Sequence, residues 1–139
     1  MRDFENNDEC NFLISEEVSQ AITIWESLNN RFNCWVIQNN LDLPPDLPLG
    51  NSEGTELIGH NFAIREINQY LAAESRKFSQ VVVHDINALS ASVGLEEWWS
   101  SRDWIQYGLA ISMLSQPRLA FSLACVVTSI LGESKKCSP

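Results

Sequence analysis

The chain has 139 residues, 45% of them hydrophobic and 19% charged, enough for one globular domain and too little for two comfortable ones. Eighteen acidic against nine basic residues leave a formal net charge of −9, a surface that repels phosphate backbones and excludes a general nucleic-acid role. The longest mostly apolar stretch, residues 119–131, is interrupted by Ser122, Thr128 and Ser129 and is too short to span a bilayer.

The opening MRDFENNDEC is acidic and lacks the apolar region of a secretory signal, so residues 1–11 read as a poorly ordered tail, with ECNFLIS as an alternative edge strand. Ser15, Glu16 and Glu17 then read as a helix start, a capping serine followed by acids in the first turn. Val18, Ala21, Ile22, Trp25, Leu28 and Phe32 recur behind it at helical spacing. CWVIQ, residues 34–38, is short, apolar and rich in strand formers. The following NNLDLPPDLPLGNSEG, with three prolines and two glycines, is a long loop of the kind that often carries function.

A second helix is predicted over about residues 56–76, with Leu57, Ala63, Ile64, Ile67, Tyr70 and Leu71 on one face, and a second strand at Val81, Val82 and Val83 ending at His84-Asp85. Helix–strand–helix–strand with uninterrupted apolar strands is the signature of a parallel sheet covered on both faces, with a right-handed crossover. Two strands make a thin sheet. The body of the chain, residues 12–134, therefore reads as part of a larger α/β domain, or as one that finds its missing strands in another chain.

Beyond the second strand come a short helical piece over residues 86–93, a turn at Gly94 and the tryptophan-rich LEEWWSSRDWIQYG. A last helix is predicted from Ser115-Gln116-Pro117, where a proline in the first turn does no harm. Its stripe is Leu119, Leu123, Val127, Ile130 and Leu131, its stop Gly132, and residues 135–139 form a polar tail. Cys10, Cys34, Cys125 and Cys137 are scattered without a C-x-x-C, which points to neither a zinc site nor a disulfide framework. Cys34 and Cys125 read as small buried hydrophobes, and the compartment as reducing cytoplasm.

Four groups are candidates for chemistry. GNSEG, residues 50–54, is a G-x-S-x-G, but a nucleophile elbow needs a strand running into the first glycine, and Pro44, Pro45 and Pro48 stand there instead. His84-Asp85 closes a strand at the edge where parallel sheets bind ligands; alternatively the pair is structural and Asp85 caps the next helix. Asn39-Asn40 closes the other strand, either as amides that orient an oxyanion or a loop, or as an Asx turn. Trp98, Trp99 and Trp104 with Arg102 form either an aromatic and cationic patch or a core corner.

The order WVIQNN, LGN (residues 49–51), INQYL, VVVHDINALSASVG, the Trp98–Arg102–Trp104 array and ESKKC resembles the FkbH-like proteins over about residues 12–137. These proteins pair an SGNH-hydrolase-like amino-terminal domain with a haloacid-dehalogenase-type domain. They are associated with polyketide and related biosynthesis, and some load a glyceryl unit onto an acyl carrier protein. The resemblance implies an α/β three-layer sandwich with a parallel sheet, SGNH- or flavodoxin-like, of which this chain is the later part. It implies no cofactor in this chain, with magnesium only in the absent haloacid-dehalogenase-type part. Its implied partners are that domain or an acyl carrier protein, with no nucleic acid and no membrane.

Two residues depart from the family pattern. Ser100 stands where an aspartate is usual, and Gln38 stands where the SGNH oxyanion block has a glycine two residues before its asparagine, here Asn40. The early serine block of SGNH hydrolases and the D-x-D-x-T strand are absent. Any remaining substrate pocket is expected around Asn39, Asn40, Gly50, Asn51 and Asp85, with no activity for the chain alone. The alternatives are a non-catalytic docking module for a carrier protein or a separate catalytic chain, and a small SGNH-like esterase using Ser52.

Overall fold

In the computed structural model, residues 7–132 are described. The chain divides between Val83 and His84 into two compact units.

The first unit opens with α1 (Asn7–Phe32), whose first turn carries Asp8 and Glu9 and whose last turn carries Arg31, each sign at the end of the helix dipole that favours it. Cys10, Ile14, Val18, Ala21 and Trp25 are buried, three or four residues apart, so one stripe faces the core. Asn33 stops the helix in the left-handed region (φ 47°), its N–H donating to the Asn29 carbonyl at 3.0 Å. This corrects two expectations. Of the tail expected over residues 1–11, residues 1–6 lie outside the described residues and residues 7–11 are the first turns of a helix, with no edge strand there, and Ser15 lies inside that helix rather than capping it.

After α1 come β1 (Val36–Asn39), a 3-10 helix (Gly50–Gly54), α2 (His60–Ser75) and β2 (Val81–His84), whose last residue begins the second unit. β1 and β2 pair as a two-stranded parallel sheet. Trp25, fully buried, sits with Ala21, Val36, Leu71 and Val81 in the main core cluster, and the Phe78 ring meets it edge-on at 5.6 Å. Its indole N–H donates to the Gln38 side-chain oxygen at 3.0 Å. A tryptophan of this volume can be fully buried because its one polar atom finds a partner on the neighbouring strand. Cys10, Ile14 and Ala63 form a second cluster where α1 meets α2, and burial pushes the Cys10 thiol above its ordinary value.

The second unit begins at His84 and holds α3 (Ile86–Val93), α4 (Leu95–Trp98), α5 (Ser101–Tyr107) and α6 (Gln116–Ile130). Asp85 caps α3 by accepting from the Ala88 N–H at 2.9 Å, and Ser100 caps α5 by accepting from the Asp103 N–H at 3.2 Å. Serine and aspartate are comparable N-caps, so Ser100 does here what an aspartate would do. Trp98 is almost fully buried, and the segment after α5 is tied to it. The Ser112 N–H donates to the Trp98 carbonyl at 2.7 Å, while the Ser112 and Ser115 hydroxyls both donate to the Glu97 carbonyl at 2.5 and 3.0 Å. The buried Asp103 carboxylate accepts from the Met113 N–H at 2.8 Å. The tryptophan array is thus no single patch: Trp98 is core, Trp104 is exposed, and Arg102 stands 3.5 Å from Asp103.

Pro117 sits in the first turn of α6, as expected. The apolar stripe expected on that helix is not a buried one, since none of its residues is buried and Phe121, Leu123 and Val127 are exposed. Cys34 is a half-buried free thiol, and Cys125 is disulfide-bonded, which corrects the reading of Cys125 as a plain buried hydrophobe. No helix among the described residues is long and apolar enough to cross a membrane.

Candidate functional site

The proline-rich segment leaving β1 is pinned at both ends by side chains of α2 or by its first turn. At its start, the Asn68 side chain accepts from the Leu41 N–H at 2.8 Å and donates to the Leu41 carbonyl at 2.7 Å. At its end, the Glu53 carboxylate accepts from the Leu49 N–H at 3.0 Å and from the His60 N–H at 2.7 Å, and the Asn61 N–H also points to it. His60 Nδ1 lies 3.8 Å from the same carboxylate.

Glu53 is 2% exposed. Burial alone raises its carboxyl, but the Leu49, His60 and Asn61 amides and the His60 charge outweigh that, and the net shift is below the usual carboxylate value. It is therefore an anion that closes the N-terminus of α2, where Gly59 at the N-cap offers no side chain. Gly59 is itself dictated by this arrangement, since a Cβ there would run into the Glu53 carbonyl oxygen.

Around these pins lie the residues expected to shape a pocket. Asn39 is the last residue of β1 and Asn40 follows it; Gly50 (φ 58°) opens the 3-10 helix and Asn51 is exposed within it. All four belong to the first unit, whereas Asp85 belongs to the second and its carboxylate is spent on the Ala88 N–H. Gln38 bridges the Trp25 indole and its neighbour: its amide also donates to the Asn39 carbonyl at 2.8 Å. A glycine there could not make either contact.

Ser52 is exposed in the 3-10 helix, and its carbonyl accepts from Thr55 and Glu56. The G-x-S-x-G is a 3-10 turn reached through prolines, with neither the incoming strand nor the outgoing helix of an elbow. The serine–histidine contact that does occur lies in the second unit: His84 Nε2 and Ser122 Oγ are 2.8 Å apart. Burial lowers the His84 pKa below its ordinary value, against the opposing charge of Asp85, so the imidazole is neutral near pH 7. Ser122, 38 residues away in the sequence, has no spacing relation to His84, and only the packing of α6 joins them. Among the described residues no three His, Cys, Asp or Glu side chains are grouped to hold a metal ion.

No protein-family model matches this chain, and no curated protein does. A solved structure matches its fold with a TM-score of 0.76 over 95% of its length, at 18% sequence identity. It is the crystal structure of the N-terminal part of a Bacteroides fragilis protein, containing a phosphatase domain and complexed with Mg. The fold is shared. This chain spans 34% of the Bacteroides chain, about a third of its length.

Proposed function

We propose that this chain is the α/β portion of an FkbH-like protein, working beside a haloacid-dehalogenase-type phosphatase domain and without turnover of its own. The observation that carries this reading is the shared fold with one third of a chain that contains a phosphatase domain. The FkbH-like motif order supports it, and so does the exposed apolar face of α6, which a larger α/β protein would cover. In this reading the two-stranded sheet is the later part of a three-layer SGNH-like sandwich. The whole protein acts in carrier-linked acyl or glyceryl transfer.

In this reading magnesium, and the phosphoryl chemistry it supports, belong to the phosphatase-type domain. The part left to this chain is to hold a substrate or carrier arm. The Asn39, Asn40 and Asn51 amides supply neutral donors and acceptors, and Gly50 allows close backbone approach. The test is an assay of the purified chain with an acyl phosphate and with a glyceryl-loaded carrier protein. No turnover is expected, and turnover at enzymatic rates with either would overturn the reading.

A further inference from the structure

In the first unit, α1 and α2 lie side by side and leave between them an open groove of about 480 Å³. Its floor on α1 carries Ile14, Val18 and Ile22 at four-residue intervals, with the polar Asn11 at one end. The far wall is Glu66, Tyr70 and Glu74, again four residues apart on α2. Side chains at i, i+4 and i+8 stack along a helix, so the groove runs straight for about 12 Å, two turns or more. The near wall is low, because Ser15 and Ser19 supply only hydroxymethyl groups.

The rim is acidic. Glu66 has no ion pair among the described residues, and Glu74 is held at 2.8 Å by the exposed Lys77. Glu16 lines a shallower hollow that shares Ser19 with the groove. Residues 1–83 carry thirteen acidic against five basic side chains.

We infer that this groove is a docking site for a basic amphipathic helix of a partner protein. A straight trough with a mostly apolar floor takes the i, i+3, i+4, i+7 face of a helix, and the carboxylates at its rim select lysine and arginine on the flanks of that face. A second copy of this chain does not supply such a helix, since each described α-helix carries at most one basic residue. An acidic carrier protein is repelled by the same rim. This site is separate from the segment pinned by Asn68 and Glu53, and it stands whatever that segment binds.

The test is fluorescence anisotropy at about 0.15 M salt, where exposed charges are largely screened beyond the Debye length. The probe is a fluorescein-labelled leucine–lysine amphipathic helix. A Kd in the micromolar range is expected for the full chain. Ser15→Trp fills the groove from an exposed position, and Glu66→Lys reverses its rim charge. Each is expected to weaken binding at least about tenfold, a loss of about 1.4 kcal/mol or more. Glu96→Lys makes the same charge change on α4 of the second unit and is expected to alter the Kd less than about twofold. Far-UV circular dichroism confirms the fold of each variant, and Glu66→Lys carries the test if Ser15→Trp misfolds. The inference is overturned by binding weaker than millimolar, by equal losses in Glu66→Lys and Glu96→Lys, or by a concentration-dependent dimer that Glu66→Lys dissolves.

Discussion

The side-chain amide of Asn68 pairs with both backbone polar groups of Leu41, at 2.8 and 2.7 Å, as a neighbouring strand would. A residue in the middle of α2 thus extends the hydrogen bonding of β1 two residues past the strand's last member, Asn39. The two bonds fix where the proline-rich segment leaves the sheet.

Replacing Asn68 with alanine removes both bonds at a partly exposed site and is expected to cost about 1–2 kcal/mol. Asn68→Asp keeps the acceptor for the Leu41 N–H but sets a carboxylate against the Leu41 carbonyl, and should cost more. Denaturant unfolding gives the loss, and faster amide exchange at Leu41 locates it.

Glu53 ties stability to acid pH. Its folded-state pKa lies below the unfolded value of 4.5, so its contribution is complete above that value and is lost as pH falls through the folded pKa. Glu53→Gln should flatten stability against pH below about pH 4.5, because the amide does not titrate. Glu53→Ala strands backbone N–H groups and is expected to cost about 2 kcal/mol or more at neutral pH. Urea unfolding at stepped pH values measures both.

His84 acts over a higher pH range by the opposite chemistry. Its folded pKa is below 6.5, so the unfolded chain binds the extra proton, and stability falls as pH drops from about 6.5 through the folded value. His84→Gln should remove that slope while keeping a side chain able to reach the Ser122 hydroxyl. Thermal unfolding between pH 7 and 5 shows whether it does.

Gly59→Ala is expected to destabilise by about 1–3 kcal/mol, since the added methyl meets the Glu53 backbone and no flexible side chain can yield. Ser52→Ala, at an exposed hydroxyl, should change stability by less than about 0.5 kcal/mol and leave any generic esterase signal untouched. The two substitutions stand seven residues apart, and calorimetry should separate them clearly.

Periodic burial was legible in the sequence, and long-range pairing was not. Val18, Ala21 and Trp25 on α1, the strand at Val81 and the proline-started α6 could all be placed from spacing and propensity, because those signals are local. The start of α1 was misplaced. The acids at Asp8 and Glu9 were hidden in a polar stretch, while Ser15-Glu16-Glu17 imitates a cap inside the helix. Glu53 carries no sequence signal of a cap because it closes a helix that begins seven residues later, across a turn, rather than the one beside it. The Asn68–Leu41 and His84–Ser122 pairs join residues 27 and 38 positions apart, which no periodicity encodes.

The N-terminus of a helix is ordinarily a welcome place for phosphate. At α2 that place is taken by Glu53, a carboxylate tethered by the chain itself and already bonded to the amides. A free anion arriving there must evict a rival whose effective concentration is set by a six-residue span, in the millimolar range or above. The protein carries its own competitor for anions at that helix end.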